Sequence, residues 1–345
     1  MTGMVLRFPP PLHAGDRIGV TSPSAGVGAK GKARIEFCID WLQQRGYDVA
    51  LGECMGADQW VSAPKEQRAA ELTTMLTDPS IRAIIPPWGG AGTALDLLDQ
   101  LDYDLIASAD PTWVIGYSDS STWMVPLTLL TGLPTLHGDN LADTPYQTPP
   151  ELTHWLDFAA VTGPVSQRDS RLIAGWNPLT DATATDWKHQ GSGTWRLHGA
   201  NELDVTGTLI GGCIEVMTGI AGTHYGDMRR FGSEQGDLVV YLEAANEEAF
   251  AICRHLHHLR YTGWFDHATA ILIGRTSAPA SEGDGGLTQE AAVLDALGGL
   301  GIPIVFDLEI GHVPPHLPLL NSTTARVTVK DETHQIVQSW PQPPA

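Results

Sequence analysis

The stretch Trp113-Val-Ile-Gly-Tyr-Ser-Asp-Ser-Ser-Thr122 decides how this chain folds. An apolar run, Trp113 to Ile115, ends at Gly116, and Ser118 follows where a helical segment begins. A strand that passes through a tight turn into a helix is half of a βα unit, and repeated units of that kind build a mainly parallel sheet. The same turn has a chemical reading. It lifts the serine hydroxyl clear of its own backbone, while the first free N–H groups of the helix face charge developing on a substrate. The pattern is Gly-x-Ser-x-Ser, without the final glycine of the usual nucleophile elbow, so these residues also read as a Ser/Asp/Ser/Thr cluster that merely caps a helix.

Working outward, short apolar runs alternate with helical patterns through the first half. Arg17–Thr21 reads as a strand leading into the turn Ser22–Gly26, and Lys32–Arg45 as a helix with Ile35, Cys38, Ile39 and Leu42 on one face. Asp48–Leu51 is a second strand, Pro64–Thr77 a second helix and Ala83–Ile85 a third strand. The turn 86–92, containing Gly89-Gly90, leads into a helix through Leu101. In open sheets of this class ligands bind at the carboxyl ends of the strands, where Ser22–Gly26, Trp88–Gly92 and Gly116–Ser120 all fall. Ser22–Gly26 lacks Gly-x-Gly-x-x-Gly spacing and no convincing acidic ribose ligand follows the second strand, which argues against a dinucleotide site.

From about Thr162 to Gly199 the pattern thins into Gly, Pro, Thr, Asp and Trp, as expected of a connection carrying a long loop. Beyond it come Gly207–Gly212, a helix start at Glu215–Ala221, a strand Asp237–Leu242, a helix Glu247–Leu259, a strand Thr269–Ile273, a helix Thr288–Leu297 and a strand Pro303–Phe306. Ala325–Val329 with Ile336–Ser339 reads as a closing β-hairpin. The expected organisation is an N-terminal, mainly parallel-sheet domain over 1–163, a connecting segment over 164–200 and a C-terminal α/β domain over 201–345.

At 345 residues, 42% hydrophobic and 17% charged, the chain has room for two domains and a sizeable core. Twenty Lys and Arg against 40 Asp and Glu give a formal charge of −20, which works against nucleic acid or an anionic membrane as partner. Cys38, Cys54, Cys213 and Cys253 form no Cys-x-x-Cys pair, so neither a zinc site nor a disulfide framework is indicated. A reducing, cytoplasmic setting fits. Residues 1–15 lack the continuous apolar stretch of a secretory signal, and no window approaches the roughly 20 apolar residues of a membrane span.

A serine hydroxyl is a poor nucleophile at neutral pH and needs a base, itself oriented by a third group. Of 13 histidines, His312 stands out in the turn Glu309-Ile-Gly-His-Val-Pro-Pro315 after a strand. Glu243 ends the apolar run 238–242. The order Ser118, Glu243, His312 is the nucleophile–acid–base order of many α/β hydrolases. Gly89-Gly90 and the Asp119 N–H could supply donors for a tetrahedral oxyanion. Each of these residues has a plainer reading: a surface turn for His312, a strand end for Glu243, an ordinary turn for the glycine pair.

Four blocks carry a resemblance to a known family: Gly15-Asp-Arg-Ile-Gly-Val-Thr-Ser-Pro-Ser24; the Gly89-Gly90 loop; Gly116-Tyr-Ser-Asp119 with Leu136-His-Gly-Asp-Asn140; and Leu209-Ile-Gly-Gly212 followed by Glu243 and Gly311-His312. In this order the chain resembles the LD-carboxypeptidase family of serine peptidases, and within it the microcin C immunity branch. The resemblance implies Ser118 as nucleophile, His312 as general base, Glu243 as its orienting partner and Gly90 with Asp119 as the oxyanion hole, with Gly89 against the substrate. It implies that the N-terminal domain carries the nucleophile, that the C-terminal domain provides acid and base with a cleft between the two, and no metal, no cofactor and a homodimer. It also implies cleavage of the amide bond of a peptidyl- or aminoacyl-nucleotide, with an LD-carboxypeptidase acting on murein tetrapeptides as the alternative and a catalytically silent ligand-binding protein as the alternative of another class. The Trp-bearing insertion 176–195 favours the immunity branch, in which a loop aromatic stacks on the substrate's base. Trp187 is the nearest candidate, its plainer role being to pack the loop against the body. Asp139 stands where a proline is usual in the family, and Cys213 where relatives often carry Asn.

Overall fold

In this computed structural model the described residues are 4–56, 60–173, 181–187, 189–282 and 286–341. Trp176, one end of the expected insertion, lies outside them. The strand 113–116 is buried along its whole length, and its alternation feeds two cores: Val114 packs with one apolar cluster, Trp113 and Ile115 with another. The strand Leu238–Glu243 behaves alike, with Leu238, Val240 and Leu242 on one face and Val239 and Tyr241 on the other. Residues that alternate in direction but are covered on both faces read as continuous apolar runs.

Two sheets result. The first runs, edge to edge, Leu319–Leu320, Leu136–His137, Trp113–Gly116, Ile81–Ile84, Arg17–Val20, Asp48–Leu51. All its pairings are parallel except the outermost, where Leu319–Leu320 lies antiparallel to Leu136–His137. The second runs Val165–Arg168, Thr333–Ser339, Thr324–Lys330, Leu203–Cys213, Leu238–Glu243, Ala268–Gly274, Ile304–Leu308, Arg196–His198, with a parallel centre and antiparallel flanks. Between the sheets lies the helix Ser121–Thr131, buried at every position except Leu130. A helix apolar all round must be enclosed. Trp123, Met124 and Leu127 join Ile84 of the first sheet and Ile210, Val240 and Ile271 of the second in one continuous core. The turn that carries Ser118 is thereby fixed to both sheets.

Several elements depart from the sequence reading. The connection expected to be a long loop contributes Val165–Arg168 and Arg196–His198, the two outer strands of the second sheet, as well as a small hairpin of Arg171–Ile173 with His189–Ser192. Strands of three or four residues have too few positions to show a period. The helix expected through Leu101 is a short 3₁₀ turn, Thr93–Leu97, and a helix follows at Tyr103–Ser108, started by Asp102, whose carboxylate accepts from the Leu105 N–H. No helix among the described residues is long and apolar enough to cross a membrane.

Candidate active site

Ser118 has φ +63°. That left-handed conformation is uncommon for a residue with a side chain and marks a strained turn of the nucleophile-elbow type. A 3₁₀ turn, Ser118–Ser120, joins the strand to the helix Ser121–Thr131, and half-buried Ser118 projects at their junction. The turn is anchored by the buried Asp119, whose Oδ1 accepts from Thr122 Oγ1 at 2.8 Å, while Oδ2 accepts from the Ala94 N–H at 3.2 Å and from the Ser24 hydroxyl. One carboxylate therefore ties together the three strand-end turns of the first sheet. The sequence had pointed to those turns separately; Ser24 as the partner of Asp119 was not legible in it.

His312 Nε2 lies 3.0 Å from Ser118 Oγ and its Nδ1 lies 2.7 Å from Glu243 Oε2. The ionised Glu243 carboxylate is fully buried and can only accept, so His312 Nδ1–H donates to Oε2, leaving Nε2 as the acceptor for the serine hydroxyl. Burial by itself raises the Glu243 carboxyl, but the charge and hydrogen bond of His312, with smaller contributions from His137 and Cys213, hold it below its ordinary value. Burial by itself lowers His312; the Glu243 charge and hydrogen bond outweigh it and hold the imidazole above the ordinary histidine value. The Cys213 thiol, buried beside Glu243 and Glu215, is pushed far up and stays protonated, so it is no nucleophile here.

Two glycines permit these approaches. A Cβ on Gly311 would fall 2.2 Å from Glu243 Oε2, and its φ of +86° favours glycine independently. A Cβ on Gly89 would fall 2.8 Å from Ser118 Cβ and 2.9 Å from the Asp119 nitrogen, so this loop lies directly against the serine turn. Gly90 is exposed and adjoins the same turn, its Cβ position being 3.0 Å from Asp119 Oδ2. Gly89 and Gly90 therefore both lie against the turn that carries Ser118 and the Asp119 nitrogen. Backbone donors at such a place can stabilise an oxyanion without reorganising.

Beside His312 the rings of Tyr117, His316 and Trp187 form an aromatic wall. The Tyr117 ring lies 5.1 Å from His312 and 5.0 Å from His316, and Trp187 stacks on Tyr146 at 3.9 Å with 17° between the planes. Trp187 stays half-exposed in this stack. The Tyr146 ring is in turn covered by the Arg34 guanidinium at 4.7 Å. His316 pairs with Asp139, the residue that stands in place of the family's proline. Neither His316 nor Tyr117 was singled out from sequence; the position of His316 four residues after His312 in the same loop was the available signal.

Comparison with known proteins gives a consistent picture. Residues 18–138 match the family described as LD-carboxypeptidase N-terminal domain, and residues 206–327 the one described as LD-carboxypeptidase C-terminal domain. The chain is 26% identical over 320 residues to the microcin C7 self-immunity protein MccF of Escherichia coli, covering 90% of this chain and 89% of the relative. It is 24% identical over 328 residues to a probable murein peptide carboxypeptidase of Bacillus subtilis, covering 94% and 92%. The solved structure of MccF in complex with glutamyl sulfamoyl guanosine superposes with a TM-score of 0.82 at 22% identity, covering 96% of this chain and 98% of the other.

Proposed function

This chain belongs to the LD-carboxypeptidase family, and from that premise we propose that it is a serine amide hydrolase whose nucleophile, base and orienting acid are Ser118, His312 and Glu243. The observation that carries the proposal is the continuous chain of hydrogen bonds from Ser118 Oγ through both nitrogens of His312 to the buried Glu243 carboxylate. Ser118 Oγ attacks the amide carbonyl carbon as its proton passes to His312 Nε2, and the carbonyl oxygen becomes an oxyanion held by the Gly90 and Asp119 N–H groups. Collapse breaks the C–N bond, the leaving amine takes the proton from His312, and water then hydrolyses the serine ester by the reverse roles. Glu243 stays ionised throughout: it accepts from Nδ1–H, which His312 keeps, and stabilises the imidazolium.

The substrate reading is an aminoacyl- or peptidyl-nucleotide, cleaved at the amide, in immunity or detoxification. It is supported by likeness to MccF along nearly the whole length of both chains and by a half-exposed indole, Trp187, in the aromatic wall. The likeness to the murein peptide carboxypeptidase supports the second reading, in which the same triad trims a muropeptide. Incubation with an aminoacyl sulfamoyl adenosine and with a murein tetrapeptide separates the two, since cleavage of the tetrapeptide alone overturns the first. Trp187→Ala gives a second test. Loss of one indole–base stack is expected to raise KM for the nucleotide substrate about tenfold or more at nearly constant kcat. An unchanged KM shows that Trp187 serves only to pack the loop.

Gly311→Ala tests the acid–base geometry. The added methyl displaces the Glu243 carboxylate or the His312 loop by an ångström or so, and kcat is expected to fall about 10²-fold. Steady-state kinetics on protein of unchanged circular dichroism checks it.

A further inference from the structure

Behind the triad two buried polar atoms, His137 Nε2 and Glu243 Oε1, face each other 4.0 Å apart, neither in a hydrogen bond of ordinary geometry among the described residues, the Cys213 thiol being the other donor close to this carboxylate. Each alone would cost the desolvation of an unpaired polar group, so their juxtaposition calls for an explanation. His137 ends a strand of the first sheet, in register with Gly116 of the serine turn, and Glu243 ends a strand of the second. The His137 ring is clamped edge-on between Tyr117 at 6.2 Å and Tyr241 at 5.2 Å, which leaves it little freedom to turn away.

We propose that His137 is a positioning residue: as the neutral Nε2–H tautomer it faces Glu243 Oε1, holds the carboxylate in the orientation that keeps Oε2 on His312, and closes to hydrogen-bond distance as His312 takes the serine proton. The inference rests on the assignment of Glu243 and His312 as acid and base. A second cation beside Glu243 would compete with His312 for the one negative charge, whereas a neutral donor fixes the carboxylate without neutralising it. The surroundings favour the neutral form. Burial pushes His137 down to about 4, and His316 and His312 oppose a positive charge there against the attraction of Glu243. The other titratable groups facing the pair, Cys213, Tyr117 and Tyr241, are raised by burial and stay protonated; Glu215 and Asp143 act on His312, and Asp139 and Asp143 on His316.

The test compares His137→Gln, which keeps an N–H near the Nε2 position, with His137→Leu, which fills similar space without one. Both the pH profile of kcat/KM and the NMR titration of His312 in substrate-free protein are measured. In the Leu variant the carboxylate loses a donor and becomes more basic towards His312. The His312 titration and the acid limb are expected to move up by about one pH unit, with kcat down about tenfold and KM within about twofold. The Gln variant is expected to restore both. An unmoved His312 titration in the Leu variant overturns the proposal, as does a Gln variant no better than Leu. Should the Leu variant fail to fold, His137→Asn, whose amide falls short of Oε1, replaces it, and Asn equal to Gln overturns the proposal. Failure of the underlying reading shows differently: Ser118 in the wild-type protein would resist a fluorophosphonate, whatever the His137 variants do.

Discussion

Replacement of Ser118 by alanine is expected to lower turnover by on the order of 10⁴ to 10⁶, the range seen when a serine nucleophile that works as a unit with its base is removed. Two neighbouring groups among the described residues cannot take its place. The Cys213 thiol is buried and protonated, and the hydroxyl of Ser24 is engaged with Asp119. The fold is expected to survive, because alanine keeps the Cβ and needs the same φ of +63°. The hydroxyl's contact with His312 is a partly exposed one, so stability should change by no more than about 0.5 kcal/mol. Kinetics, thermal unfolding and fluorophosphonate labelling check the three parts. A folded alanine variant that retains turnover removes Ser118 from the mechanism.

The second large effect concerns Glu243. Glu243→Gln leaves a buried amide of nearly the same shape beside Gly311, but an amide can present its NH₂ to His312 and stabilise the wrong tautomer. Turnover is expected to fall by about 10⁴-fold near neutral pH. The wild-type pH profile follows from the same pair. His312 accepts the serine proton only when neutral, and its titration lies above the ordinary histidine value because the Glu243 charge outweighs the effect of burial. Activity is therefore lost as pH falls through that raised value and is full above it. In the Gln variant the charge is gone, burial remains, and the acid limb moves to lower pH. A limb that stays in place after this substitution shows that Glu243 is not the group that sets the His312 titration.

Much of this was legible in the chain. The run 113–116, the strand 238–243 and the helix patterns at 32–45 and 288–297 announce themselves because buried strands and amphipathic helices need particular residues at particular intervals. The strands and helices found there, Trp113–Gly116, Leu238–Glu243, Ala29–Gln43 and Gln289–Leu297, differ from expectation by a few residues at their ends, where fraying makes boundaries soft. Leu319–Leu320 and Leu136–His137, of two residues each, were not legible. They are strands only because the sheet beside them supplies partners. His137 was quoted as part of a motif, but nothing local says that it faces Glu243.

The strand–turn–helix that carries Ser118, the mainly parallel character of the first sheet and the glutamate and histidine near strand ends are written locally in the chain. Those features depend on short-range sterics and on the periodicity of burial. That His312 meets a serine 194 residues away and a glutamate 69 residues away is a matter of long-range packing. So is the stacking of Trp187 on Tyr146. The reason is the buried helix Ser121–Thr131: its apolar surface is shared by both sheets, so packing against it, rather than any local preference, brings the strand ends of one sheet over the serine turn of the other.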